Sequence, residues 1–284
     1  MKTILVPTDF SDAARNASRY AVNLAKSLNY KVLLFHVFNM PVLITGDFST
    51  LEMIDMNELE QEHKALLEKE AETLKKGNTV VIETKSMSGY TVDEIAVIEE
   101  KEKPDLIVMG LSPAGMISEF MFGSISTDVV KNTQTPVIIV PETAQFKEIK
   151  KIAFASDLKM ECDMSMHEPL KDLIDIFNSN ISILNVVKEQ SDKIGKDDGV
   201  SGRRIEKYFE NREHKYHFLE NNDIIAGINE FIVNEDIDMI TMIPQKHNLI
   251  ERLFKESNTK KMAFHADAPL LTLPAIPCAD STIS

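Results

Sequence analysis

The sequence predicts an α/β fold class: two similar domains, each an open five-stranded parallel sheet with helices on both faces. Three observations carry that reading. The sequence repeats itself once, β-branched runs alternate with helix-period segments inside each copy, and the strand runs are apolar almost from end to end. A parallel sheet covered on both faces needs such unbroken apolar strands, because neither face meets water.

Four echoes define the repeat. "ILVPTDFS" (4–11) returns as "IAFASDLK" (152–159), which sets Asp157 where Asp9 stands. "VLLFHV" (32–37) returns as "ISILNV" (181–186), "DLIVMG" (105–110) as "DMITMI" (238–243), and "TPVIIVP" (135–141) as "APLLTLP" (268–274). The last two pairs are both separated by 133 residues. A shared spacing over a thirty-residue stretch marks a tandem duplication joined near 142–149, giving domains at 1–143 and 148–277.

Within the first copy, Ala14, Ala17, Ala21, Leu24 and Leu28 recur every three or four residues behind Ser11, a suitable N-cap. Leu170, Leu173, Ile174 and Phe177 repeat that stripe in the second. "KVLLFHVF" and "PVIIVP" read as buried strands, and the count is five strands per half. After its second strand the first half carries an apolar, Met-rich insert at 39–56, a lid or an interface segment. A charged helix at 57–76 follows, with a solvated face laced by Glu–Lys pairs. The terminal strands of the two halves are apolar and available to pair with each other, so the chain is expected to form a pseudo-dimer within itself or a homodimer.

Composition excludes several function classes. A net charge of −14 repels nucleic acid and anionic membranes. No stretch approaches the roughly 18 apolar residues of a membrane span. The first apolar run, ended by Asp9, is shorter than a signal-peptide core, and Cys162 and Cys278 have neither disulfide-framework nor metal-ligand spacing. A cytoplasmic location is therefore expected. His214 and His217 fall on opposite faces of a strand, His36 reads as a core or crevice histidine, and His167 has no second histidine at metal spacing. No protein-built metal site is expected.

Ligands enter open α/β sheets at the carboxyl ends of strands, where strand order reverses. Three stretches of the first half meet there: "PTD" after the first strand, "HVF" at the end of the second, and "GLSPAGMISEFMFGS" (110–124) after the fourth. On these residues the chain resembles the universal stress protein family, as a tandem two-domain member. The family places an aspartate after its first strand and a G-x2-G-x9-G-[S/T] loop after its fourth. The resemblance implies strand order 3-2-1-4-5 and, in the nucleotide-binding branch, ATP or AMP held by that loop, with Mg2+ able to accompany ATP.

Carried over residue by residue, Asp9 matches the adenine-contacting aspartate, with Pro7 and Thr8 beside it, and Val37 offers backbone groups to the base. Gly110 matches the first glycine, Gly123 the third, and Ser124 the residue after it, with Ile125 next at a helix N-terminus. Glycines let backbone N–H groups approach phosphate, and the helix dipole favours the anion. The second glycine is Pro113 here, which removes one N–H donor; Gly115, two residues on, supplies flexibility in a shifted loop.

In the second copy, Ile243, Lys246 and Glu256 replace Gly110, Pro113 and Gly123, and only Ser257 remains. A glutamate at a helix N-terminus repels phosphate. This half reads as a degenerate structural copy, with Asp157 a helix cap and the basic residues between Lys246 and Lys261 a solvated surface. The sequence contains neither a Walker A loop nor an SGGxDS-like loop, which leaves a binding protein with at most slow ATP hydrolysis. The expected function is a stress-response regulator that binds an adenine nucleotide in its first half. The alternative is a nucleotide-free interaction or scaffold protein acting through dimer surfaces.

Overall fold

The computed structural model describes residues 1–39, 56–111, 124–156, 158, 166–187, 198–210, 212–243 and 268–274. The first half runs β1 (Thr3–Pro7), α1 (Asp12–Leu28), β2 (Lys31–Phe38), α2 (Met56–Lys75), β3 (Ile82–Ser88), α3 (Thr91–Glu102), β4 (Leu106–Leu111), α4 (Ser124–Asn132) and β5 (Val137–Pro141). The second runs β6 (Lys151–Ala155), α5 (Glu168–Phe177), β7 (Asn180–Val187), α6 (Asp198–Tyr208), β8 (His214–Glu220), α7 (Ile224–Glu235), β9 (Met239–Met242) and β10 (Leu270–Thr272).

All ten strands join one sheet of order β3-β2-β1-β4-β5-β10-β9-β6-β7-β8. Counted within each half, the order is 3-2-1-4-5 twice, mirrored through the middle. Every neighbouring pair is parallel except β5 and β10, which meet antiparallel with Ile139 opposite Leu270 and Val137 opposite Thr272. The two apolar terminal strands thus pair within the chain.

Alternation along the strands divides the core. Ile4, Val6, Val32 and Leu34 pack under α1 and α2, together with residues of α5 and α6 from the other half. Leu5, Leu33, Phe35 and Ile107 face α3 and α4, and Ile240 and Met242 face α7. The charged helix forms as α2 and buries only Leu67, Ala71 and Leu74 along one line. Ser11 caps α1, accepting a hydrogen bond from the Ala14 N–H at 3.2 Å. The insert at 39–56, apart from its ends, lies outside the described residues, as do Cys162, Cys278, Asp157 and the second-copy loop 244–267.

The duplication persists down to single hydrogen bonds. Asp105 accepts from the Thr3 N–H at 2.7 Å, and its counterpart Asp238 accepts from the N–H groups of Lys150 and Lys151, each at 2.8 Å. Asn29 and Asn178 end α1 and α5 in the left-handed region, where asparagine is tolerated. The carbonyl of Pro141 receives the Asn16 amide at 3.0 Å, and that of Pro274 receives His167 Nε2 at 3.0 Å.

Contacts between the halves are asymmetric. Lys2 bonds Asp172 of α5 at 2.6 Å, and the Tyr30 hydroxyl donates to the same carboxylate. Phe146, in the connection, packs between Tyr20 of α1 and Phe177 of α5.

Candidate functional site

The chain leaves β1 through a tight turn held by several hydrogen bonds. The Thr8 N–H donates to the Phe35 carbonyl at 2.8 Å, extending the β1–β2 ladder past Pro7. The Phe10 N–H donates to Thr8 Oγ1 at 3.1 Å, and the Ser11 N–H to Asp9 Oδ1 at 3.0 Å. Phe10 itself is in the left-handed region at φ 63°, which reverses the chain into α1. Thr8 is buried while Asp9 is exposed, so the turn presents the Asp9 carboxylate outward on an anchored backbone.

β4 ends beside that turn, since β1 pairs with β4 through Ile4–Leu106 and Leu5–Ile107. Gly110 abuts the first turn of α1: a Cβ there would lie 2.5 Å from the Ala13 carbonyl oxygen and 2.9 Å from the Ala14 nitrogen. Glycine is therefore required for helix-to-strand approach at this position, in addition to any role toward a ligand. α4 opens at Ser124; Ile125 is exposed in its first turn, and Ser126 Oγ donates to the Gly110 carbonyl at 3.4 Å.

The structure brings Pro7, Thr8, Asp9 and Gly110 to one end of the sheet. Val37 lies on the strand next to β1, paired with Met87 of β3, and its side chain packs against the part of the core that faces α3 and α4. Pro113, Gly115 and Gly123 fall in 112–123, outside the described residues.

Sequence reasoning missed an aromatic cluster over this turn. His36 Nδ1 donates to the Thr8 carbonyl at 2.7 Å, and its Nε2 meets His63 Nδ1, on α2, at 2.9 Å. Phe10 packs on His36 with ring centroids 4.4 Å apart, and Phe38 stacks on His63 at 4.6 Å. Burial chiefly holds the His36 pKa below the ordinary histidine value, and the neighbouring His63 adds to this. The bond to Thr8 and the charge of Asp9 pull the other way without prevailing. The echo of "VLLFHV" in "ISILNV" carried a signal, because it aligns His36 with Asn185, and both do the same work. Asn185 Nδ2 donates to the Ser156 carbonyl at 2.9 Å.

The turn is thus kept in the second half, down to Leu158 at φ 58° and its N–H bonded to Ser156 Oγ at 3.0 Å. The neighbourhood differs. α5 starts at Glu168, thirteen residues after β6 ends, whereas α1 starts five after β1. Where Gly110 admits the first turn of α1, the side chain of Ile243 is buried in the core. His214 and His217 point to opposite sides of β8, toward Phe209 and Phe231 respectively. Among the described residues no three His, Cys, Asp or Glu side chains are grouped to hold a metal ion, and no helix is long and apolar enough to cross a membrane.

Comparison with known proteins places this arrangement. The universal stress protein family profile matches residues 1–141. Universal stress protein MJ0531 of Methanocaldococcus jannaschii is 31% identical over 140 residues, covering 49% of this chain and 81% of the relative. Universal stress protein Slr1230 of Synechocystis sp. is 23% identical over 303 residues, covering 96% of this chain and 99% of the relative. The crystal structure of a universal stress protein from Archaeoglobus fulgidus shares the fold over both halves, with TM-score 0.69 at 17% identity, covering 96% of this chain and 98% of that one. The chain belongs to the universal stress protein family.

Proposed function

We propose that the chain is a stress-response regulator that binds one adenine nucleotide, ATP or AMP, in its first half. The observation that carries this reading is the exposed Asp9 carboxylate, held on a hydrogen-bonded turn beside Gly110 and the end of β4. In this reading Asp9 accepts from the exocyclic amine of adenine, and the Val37 backbone borders the base. The phosphates lie toward 112–123 and the N-terminus of α4, where backbone N–H groups and the helix dipole favour an anion. Mg2+ enters only with the phosphates of ATP. Residues 1–143 form the binding domain. Residues 148–277 form a structural copy, in which Glu256 stands at the position of Gly123. The role proposed is binding, with at most slow ATP hydrolysis.

The test is to denature the purified protein, quantify released nucleotide, and titrate stripped protein with ATP and AMP by calorimetry. One nucleotide per chain is expected, lost in Gly123→Glu, which copies Glu256. Two per chain, or an affinity unchanged by Gly123→Glu, overturns the assignment. No saturable binding replaces it with a nucleotide-free interaction module.

A further inference from the structure

A hydrogen-bonded relay crosses from the β1 turn to α2. The Thr8 carbonyl can only accept, so His36 Nδ1 carries the ring proton and Nε2 of the neutral ring is a bare acceptor. His63 Nδ1 must then donate to it across 2.9 Å. The two ring centroids are 5.0 Å apart with planes 24° from parallel, so the rings meet end to end, nitrogen to nitrogen. Two ligands of one metal would aim at a third point between them; these lone pairs aim along one line, on which there is room for a single proton.

Proton counting follows from that geometry. A proton added at His63 Nε2 leaves the bridge intact and makes it charge-assisted. A proton added at His36 Nε2 sets two N–H donors against each other, and the bridge must open. His36 is 5% exposed and walled by Phe10 and Phe38, so water cannot readily take over the lost bond.

Among the described residues the charged surroundings are few. The turn supplies Asp9. α1 supplies Asp12 and Arg15, and Arg15 pairs with Glu70 of α2 at 3.5 Å. Glu62 and Lys64 flank His63 in sequence on the solvent side of α2. β3 sets Ser86 beside His36 and turns Glu83 and Lys85 to the opposite face.

We propose that His36 and His63 form a proton-operated latch pinning α2 to the turn that carries Asp9, closed at neutral pH and released when a second proton enters the pair. The latch stands on the geometry of the pair and not on nucleotide binding, so it is assayed on the chain alone. The sign is that of a histidine favoured neutral by the fold. Its stabilisation is complete above the ordinary value of about 6.5 and is lost as pH falls through the lower folded value.

The experiment combines ring 15N NMR of labelled protein between pH 8 and 5 with amide exchange of α2, expressed as protection factors. His36 Nε2 is expected to keep its unprotonated signal to a pH below the ordinary histidine value. As it yields, α2 protection is expected to fall roughly tenfold relative to α3. His63→Phe, which keeps a ring against Phe38, is expected to abolish that pH step. Two rings titrating as independent, ordinary histidines overturn the latch, as does an α2 step unchanged in His63→Phe. Should His63→Phe not fold, the ring signals of the unmutated chain decide alone.

Discussion

Gly110 and Ala13 meet backbone to backbone: a β-carbon on Gly110 would sit 2.5 Å from the Ala13 carbonyl oxygen and 2.6 Å from its carbonyl carbon. No rotamer can relieve such a contact, so Gly110→Ala must push the first turn of α1 off β4. A loss of about 1–3 kcal/mol is expected, as for overpacking in a core. Urea unfolding measures it, and a loss below about 0.5 kcal/mol, within the range of neutral surface changes, rejects the packing argument.

Glu99 holds the connection between α4 and β5. Its Oε1 accepts from Thr133 Oγ1 at 2.7 Å, the N–H groups of Gln134 and Thr135 at 3.1 and 3.0 Å, and Thr135 Oγ1 at 2.7 Å. Both threonines are buried, so removing the acceptor strands donors away from water. Glu99→Ala is expected to cost about 2–3 kcal/mol, and Glu99→Gln, which keeps a neutral oxygen, about half as much. Equal losses in the two variants would show that a neutral oxygen cannot stand in for the carboxylate, and no loss in Glu99→Gln would show that its charge contributes nothing.

Asp172 should make the joint between the halves sensitive to acid. Burial alone would raise its pKa, but the hydrogen bonds from Lys2 and Tyr30 outweigh burial and leave it below the ordinary carboxylate value. A lowered folded value means stability is fully present above the unfolded value of about 3.9 and is lost as pH falls through the folded one. The stability gap between the native chain and Asp172→Asn is therefore expected to be flat near neutrality and to close below about pH 4. Thermal unfolding of both proteins from pH 7 to 3 tests this; a gap that widens in acid refutes it.

Much of this architecture was legible in the sequence, for a physical reason. Strands buried on both faces must be apolar throughout, and helices that cover them must show a stripe, so "KVLLFHVF" and the α1 segment declare themselves locally. The duplication, read from shared spacing, gave two like halves and the pairing of the terminal strands, while the order within each half came from the family resemblance. The contacts that join distant elements were not legible. His36 and His63 are 27 residues apart, and Tyr30 and Asp172 are 142 apart. No periodicity links such pairs; only the fold brings them together. Gly110 was read as a ligand-facing glycine, whereas its close approach to α1 became visible only once the helix was in place.

The seam between β5 and β10 lies inside one polypeptide, and this changes what the assembly can do. Two separate chains meeting along such strands would part on dilution and could exchange partners. Halves tethered through the short connection from Pro141 to Lys151 do neither, because their effective concentration is set by the tether and not by the amount of protein. Identical subunits would also carry every substitution twice, once on each side of the axis. Fusion removes that bond between the copies: position 256 can hold glutamate while position 123 holds glycine. Each half is then free to carry its own residues, while the two stay at a ratio of one to one.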